Sequence, residues 1–171
     1  MILKGSATNI TSSASNFGRT TRIRVSATNG GTVTVAAPVG TFNAASNVAG
    51  AAITISSHGF VTNDEVTYSD GGGTAIAELR DGGKYFVIKV DANTVNLSET
   101  LDGNALTLTD GDSENHTITA TNTYAGSVLL VSNQVVMIDK KPGDTISASA
   151  TMTGTAAVSY THLTLPTILR V

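Results

Sequence analysis

Two of the three histidines are the residues best suited to acid–base or nucleophilic chemistry. His58 precedes Gly59 in the sequence HGF, and His116 precedes Thr117 in NHT. A hydrolytic site would place such an imidazole next to a serine or threonine and a carboxylate. No GxSxG, HExxH or phosphate-loop pattern accompanies either histidine. We therefore interpret His58 as a turn residue that caps backbone groups, and His116 as a structural residue at the start of a strand.

Three acidic residues, Asp64, Glu65 and Asp70, could supply the paired carboxylates of a glycoside hydrolase. Sugar-cleaving clefts normally also present aromatic platforms, and the chain has no tryptophan. Tyr68 and Tyr85, in the same stretch of sequence, fit better as packing residues of a β-module. We therefore predict no catalytic residues and no enzymatic activity.

A run of alternating carboxylates lies at residues 110–114, which read DGDSE. Asp110, Asp112 and Glu114 are oxygen ligands of the kind that a hard cation such as Ca²⁺ prefers. The spacing does not complete an EF-hand loop, and strings of Asp and Gly mostly form turns. We interpret the run as a turn and predict no metal-binding and no cofactor-binding residues, with a cation site as the alternative.

The composition disfavours several classes of function. Charged residues make up 13% of the 171-residue chain, about half the usual quarter. The net charge of −3 comes without any basic block that could follow a phosphate backbone. Arg19, Arg22 and Arg24 are the densest basic group, and the last two would share the solvated face of a strand. The absence of cysteine excludes disulfides and thiolate sites. Nucleic acid is therefore not an expected partner.

No segment predicts a membrane partner. The most apolar segment, residues 128–138, is interrupted by Ser132, Asn133 and Gln134 and is far too short to span a bilayer. The N-terminus lacks the apolar run of a secretory signal. We therefore expect synthesis in the cytoplasm.

Short β-strands are the elements that must position all of these residues. A period-two pattern of apolar and polar residues marks half-buried sheet, and no window shows a sustained helical period, so the chain is predicted to be all-β. Only a short helical turn is expected, at residues 43–48. The predicted strands are residues 21–27, 32–36, 66–68, 85–90, 105–109, 116–120, 127–132, 134–139 and 145–153.

Two turns have a specific sequence signature. Asn29-Gly30-Gly31 favours a hairpin between the strands at residues 21–27 and 32–36. The sequence KPGD at residues 141–144 has Pro and Gly at the two central positions of a type II turn.

The chain divides into one β-domain that is interrupted by a second. Residues 1–40 and 124–157 are each too short to bury a core, and together they would form a small β-sandwich base. Residues 41–123 would form an inserted domain, joined at exposed turns where insertions are tolerated. Edge strands of the base without charge, such as residues 145–153, are expected places for pairing with another subunit.

The inserted segment carries several motifs in succession: HGF at 58–60, DEV at 64–66, GTAI at 73–76, the strand at 85–90 and DANTV at 91–95. Together they resemble a small β-barrel module that recurs in marine bacteriophage fibre and tail proteins and in large bacterial adhesins. The resemblance covers about half of the chain. It implies that the inserted domain is a small β-barrel.

The flanking segments open with KGSATN at residues 4–9 and close with a strand, an acidic-basic-proline turn at 139–142 and DTI at 144–146. They are similar to short virion structural proteins of cyanophage-like and pelagiphage-like viruses. The resemblance implies a particle component and supplies no catalytic residue. The flanks of such proteins are usually contiguous, so the insertion implies an exposed decoration on an anchoring base.

Residues 158–167 read VSYTHLTLPT. This segment resembles the in-frame translation of a transposase adapter used in sequencing libraries. The resemblance implies that residues 158–171 are a non-native tail of a metagenomic gene, and that His162 and Pro166 carry no functional weight. A genuine C-terminal strand is the alternative.

These resemblances predict a bacteriophage virion protein, either a capsid decoration on the head exterior or a fibre-like component, that acts by assembly and surface presentation. The expected partners are other virion proteins (the major capsid protein or tail proteins), further copies of the chain in a homo-oligomer such as a trimer, and a host-surface glycan. A tail or neck accessory protein, or a bacterial surface adhesin or filament subunit, is the alternative. The expected location is the virion.

Overall fold

The structure, a computed structural model, describes residues 2–3, 7–17, 20–121 and 124–158, with side chains described for residues 7–157 within these ranges. The predicted all-β class is confirmed, with strands arranged in three antiparallel sheets. No helix within the described residues is long and apolar enough to cross a lipid bilayer. Arg19 and the predicted tail beyond Val158 lie outside the described residues.

The strands follow the period-two pattern because most of them bury one face only; β3 and β8 bury every second residue. In chain order they are β1 (Ile2–Leu3), β2 (Thr8–Ile10), β3 (Arg22–Ala27), β4 (Gly31–Ala36), β5 (Val39–Asn43), β6 (Val48–Ala49), β7 (Ala52–Thr54), β8 (Glu65–Ser69), β9 (Lys84–Lys89), β10 (Thr94–Ser98), β11 (Asn115–Ala120), β12 (Gly126–Leu130), β13 (Gln134–Asp139), β14 (Thr145–Ala148) and β15 (Met152–Val158).

Two of the sheets pack face to face and form the base. The five-stranded sheet has the order β1–β15–β3–β13, with β2 also paired to β15, and the three-stranded sheet has the order β12–β4–β14. Ile23 and Val25 of β3 meet Val33 and Val35 of β4 and Ile146 of β14 in one hydrophobic cluster. This arrangement is the predicted small β-sandwich.

The predicted hairpin between residues 21–27 and 32–36 is wrong, because β3 and β4 belong to different sheets. Both strands have an apolar face that must point into the same core, so the turn carries the chain across the sandwich. Gly30 is required there: its φ is +74°, and a Cβ would lie 2.9 Å from the carbonyl oxygen of Leu130.

The third sheet has the order β5–β11–β8–β9–β10–β7–β6 and covers a second hydrophobic cluster. We call this part of the protein the seven-stranded unit. Its two end strands, β5 and β6, are separated by only four residues, which can span no more than about 17 Å, so the sheet must curl.

The expected closed barrel is wrong, because no ladder in the described residues joins β5 to β6. The connection at residues 44–47 is a tight turn in which the Asn47 N–H donates to the Asn43 carbonyl oxygen (2.9 Å). With β6 only two residues long, this turn occupies the place where a closing ladder would begin. The turn also matches the helical turn predicted at residues 43–48.

The strand predicted at residues 105–109 is absent. The Leu106 N–H donates to the Leu97 carbonyl oxygen (2.8 Å), whereas the Leu108 N–H donates to that of Gly50 (2.9 Å). Because successive backbone groups bond to different neighbours, the segment is extended but belongs to no ladder.

The strand predicted at residues 145–153 is in fact two strands. β14 pairs with β4 in one sheet, and β15 pairs with β2 and β3 in the other. Residues 149–151 carry the chain from one sheet to the other, since both alternating segments contribute apolar residues to the same core.

The turn at residues 141–144 is present but is not of the predicted type II. The Asp144 N–H donates to the Lys141 carbonyl oxygen (3.1 Å), yet Gly143 lacks the positive φ that type II requires. The glycine serves a close approach instead: a Cβ on Gly143 would lie 2.4 Å from the carbonyl oxygen of Gly59. This contact joins the base to the seven-stranded unit.

Further contacts at the same junction hold the two units together. The Lys141 ammonium donates to the Thr121 carbonyl oxygen (2.9 Å), and Gly143 lies against the Pro38 ring, to which a Cβ on Gly143 would be 3.2 Å. Residues 122–123, at one predicted domain boundary, lie outside the described residues. The division into domains at residues 40 and 123 stays a prediction.

Candidate functional site

The side of the base formed by β12 and β13 has the most unusual surface of the described residues. Each strand is the last of its sheet, and the two follow each other in the chain, so both sheets end on the same side. Leu129 exposes 72% of its surface and Val131 exposes 66%. Val128, Val135 and Met137 are also exposed. We call these five side chains with their two strands the open edge.

A groove of about 420 Å³ runs between the two sheets at the open edge. Its walls include Val33 and Val35 of β4 and Val136 and Ile138 of β13, with Tyr124 also in the lining. A mostly aliphatic groove suits an apolar side chain and offers little to a charged ligand.

The opposite side of the base is covered by the N-terminal segment. Ser15 exchanges two backbone hydrogen bonds with Ile146 of β14 (3.0 and 2.8 Å), and the Ala148 N–H donates to the Thr11 carbonyl oxygen (2.8 Å). In the five-stranded sheet, β1 and β2 pair with the outer side of β15. Within the described residues the base is therefore sealed on this side and bare at β12 and β13.

Charge is scarce at the open edge. β12 has no charged residue, and the one in β13 is Asp139, which pairs with Arg22 of β3. The Arg22 Nη2–H donates to Asp139 Oδ2 (2.7 Å). Hydrogen bonding from this guanidinium lowers the pKa of Asp139 below its ordinary value. The single carboxylate of the edge is therefore ionised at neutral pH and already partnered.

His116 lies fully buried in the seven-stranded unit. Its Nδ1 is 2.7 Å from the Tyr68 hydroxyl, and its Nε2 is 3.2 Å from Asp112 Oδ1. The Ile76 N–H donates to the Tyr68 oxygen (3.1 Å), so we assign the Tyr68 hydroxyl as donor to Nδ1 and the Nε2–H as donor to Asp112. Tyr68 and Tyr85 both pack in the hydrophobic cluster, which confirms their interpretation as packing residues.

His58 is also buried, close to backbone groups of Thr94 and Asp91, and its expected role as a cap for backbone groups stays a prediction. Neither ring nitrogen has a hydrogen-bond partner of normal geometry. The ring stacks on Phe60, with centroids 5.5 Å apart. Burial, and secondarily the charge of Lys89, lowers the pKa of His58, although backbone groups of Thr94 and Asp91 oppose this. The imidazole is therefore neutral at neutral pH and behaves as a packing residue.

The three carboxylates considered for sugar hydrolysis each have a separate local partner. Asp64 is buried, and its Oδ2 accepts a hydrogen bond from the Val61 N–H (2.9 Å). Glu65 pairs with Lys84 (2.8 Å), and this hydrogen bond lowers the pKa of Glu65. Asp70 accepts from the backbone N–H two residues further along its own turn.

Asp112 ties the acidic run at residues 110–114 to a neighbouring turn. Its carboxylate accepts hydrogen bonds from the backbone N–H groups of Thr74 and Glu114 and interacts with His116. The bond from Thr74, followed by the others, lowers the pKa of Asp112. No group of three His, Cys, Asp or Glu side chains in the described part of the chain is placed to hold a metal ion.

The segment expected to offer an edge for another subunit, residues 145–153, is not an exposed edge in the described residues. β14 is covered by Ser15 and Thr11, and β15 lies inside its sheet. The open edge instead falls in the most apolar segment of the sequence. Its run Val128-Leu129-Leu130-Val131 shows no alternation of apolar and polar residues. A strand with two apolar faces can bury only one of them in a two-layer sandwich, so this run could have indicated an exposed apolar surface.

No protein-family model matches this chain, and no curated protein or solved structure is significantly similar to it.

Proposed function

We propose that this chain is a structural protein of a bacteriophage virion, a capsid decoration on the head exterior or a fibre-like component. The observation that carries the proposal is the open edge. An uncharged strand edge flanked by exposed aliphatic side chains is a template for pairing with another protein. The phage resemblance of the sequence supplies the class of particle.

The base gains stability from such pairing for a simple physical reason. A sandwich of this size buries a smaller fraction of its surface than a large domain does, so its own stability is marginal. A partner that binds only the folded base shifts the folding equilibrium toward that state. Assembly would therefore stabilise the subunit as well as the particle.

The seven-stranded unit would be the presented part. Pro38, Gly59 and Thr121, which contact or adjoin the base, lie at one end of its strands. The turns around Asp70 and Asp81 lie at the other end, since β8 runs from the Thr121 contact toward them. These exposed turns are the surface that a host-surface glycan would meet.

Immunogold labelling tests the proposal. An antibody raised against the purified chain is applied to phage particles concentrated from marine samples in which the gene is detected. We expect label on the outside of heads or on fibres. Label confined to tails or necks would favour an accessory protein of the tail, and label on bacterial envelopes would favour an adhesin. The absence of label from particles would overturn the proposal.

A further inference from the structure

Within the part of the chain that the structure describes, the open edge lacks the features that protect natural edge strands from pairing. Natural edges are usually guarded by charged residues, proline, bulges or a covering segment. β12 has no charged residue and no proline, and the Asp139 of β13 is held by Arg22. On the opposite side of the same sandwich, the N-terminal segment covers β14 through Thr11 and Ser15, and β1 and β2 cover β15.

Exposed apolar side chains flank this edge on more than one face of the sandwich. Val128 lies opposite Val33 on the inner face of its sheet, at the groove, whereas Leu129 lies opposite Thr32 on the outer face. Val135 and Met137 lie opposite Ser26 and Arg24 on the outer face of the other sheet. An edge-to-edge contact would therefore cover mainly the groove, with Val128, and the unpaired backbone groups of β12 and β13.

The two edges also restrict what the partner can be. A partner strand on β12 extends the three-stranded sheet, and one on β13 extends the five-stranded sheet. A protein that extends both must present two strands separated by the sheet-to-sheet distance of this sandwich, about 10 Å. A second copy of the chain meets this condition because its own β12 and β13 have the same separation. One two-fold axis perpendicular to the sheets places β12 antiparallel to β12 and β13 antiparallel to β13.

We infer that two copies of this chain associate through the open edge around such a two-fold axis, so that both sheets of the base continue from one copy into the other. The inference deepens the proposed function and rests on its assembly role. A pairing centred on Val128, the middle residue of β12, would bring the two Val128 side chains directly opposite each other. Like charges placed there would repel, and opposite charges would attract.

Sedimentation equilibrium of the full chain and two charge variants tests the inference. At about 100 μM, well above the micromolar dissociation constant of a modest interface, we expect wild type to have twice the chain mass. Val128→Lys and Val128→Glu should each be monomeric, and their equimolar mixture should recover the dimer. Leu101→Lys, at an exposed leucine of the seven-stranded unit, is the matched control and should remain dimeric. Recovery in the mixture excludes misfolding as the cause of dissociation.

A cross-link gives a second readout. The chain has no cysteine, so Val128→Cys introduces one thiol, and antiparallel neighbours are close enough for a disulfide. We expect a covalent dimer on oxidation, and none from Leu101→Cys. A monomeric wild type, a trimer, or variants that stay dimeric would overturn the inference. Label on particles together with a monomeric chain would overturn the inferred dimer and leave the proposed function standing. A dimer together with unlabelled particles would overturn the proposed function and leave the dimer standing.

Discussion

Tyr68 satisfies two buried groups with a single hydroxyl, since it accepts from the Ile76 N–H and lies 2.7 Å from His116 Nδ1. Tyr68→Phe keeps the ring in the core but leaves both groups without a partner. Each such orphan costs about 1–3 kcal/mol, so we expect the variant to lose about 3 kcal/mol of unfolding free energy in urea titrations.

Tyr85→Phe is the matched control for that measurement. The Tyr85 hydroxyl accepts a hydrogen bond from the Arg80 N–H (2.8 Å), and Arg80 is exposed, so water can replace it. The expected loss is about 1 kcal/mol. Equal losses in the two variants would show that the His116 network adds nothing beyond an ordinary hydrogen bond.

Asp112 gives the fold a dependence on acid. Its folded pKa lies below the ordinary value of 3.8, so the ionised carboxylate stabilises the fold at neutral pH, and this contribution is lost as the pH falls through the folded pKa. We expect Asp112→Asn to have a lower urea midpoint than wild type at pH 7, and the difference to shrink as the pH falls below the ordinary pKa of an aspartate and through the lower folded pKa. A difference that is constant with pH would mean that shape, and not charge, is responsible.

At the scale of residues, the sequence predicts which side chains are buried better than it predicts their hydrogen-bond partners. Tyr68 belongs to an alternating segment, and its packing role could be predicted from that pattern. Its contact with His116 could not, because it depends on β8 pairing with β11 across 48 positions of sequence. Hydrogen bonds that depend on such long-range register leave no local trace in the sequence.

At the scale of elements, alternation predicts a strand without saying in which sheet it lies. Residues 134–139 were predicted as a strand and form β13 with the same bounds. The Asn29-Gly30-Gly31 turn has the composition of a hairpin, yet it joins strands of opposite sheets. A turn between two layers and a turn within one layer need the same residues that tolerate positive φ, so the local sequence cannot separate them.

Gly143 tests the contact between elements of the two units. Gly143→Ala places a Cβ 2.4 Å from the Gly59 carbonyl oxygen, and backbone atoms cannot move aside as a flexible side chain can. We expect a loss of about 2–3 kcal/mol in urea unfolding, as for other overpacked sites. Gly50→Ala is the control, because a Cβ on Gly50 would meet no atom within 4 Å and the residue has a φ of +60°. Backbone strain alone should therefore cost this variant about 1 kcal/mol. A smaller loss for Gly143→Ala than for the control would mean that the backbone at Gly59 moves aside to make room for the added methyl group.

At the scale of the whole molecule, the two hydrophobic clusters draw on different parts of the chain. The cluster of the seven-stranded unit uses residues 37–120, and that of the base uses residues 10–35 and 130–152. That the base cluster needs both flanks could be predicted from the lengths of the segments, because neither flank is long enough for a core. The sequence could not predict that the seven-stranded sheet curls without closing into a barrel, because closure depends on the single turn at residues 44–47.

A fragment of residues 37–121 tests whether the seven-stranded unit is independent. It keeps every residue of its hydrophobic cluster and the bond from Ala120 to Pro38, and it loses contacts of Pro38, Gly59 and Thr121 with the base. We expect a β-sheet circular dichroism spectrum and a cooperative thermal transition. Because the fragment lacks β12 and β13, it should also stay monomeric at the concentration at which the full chain dimerises. A fragment that is unfolded would show that the base completes its core, and a folded fragment that dimerises would place the self-association on the wrong unit.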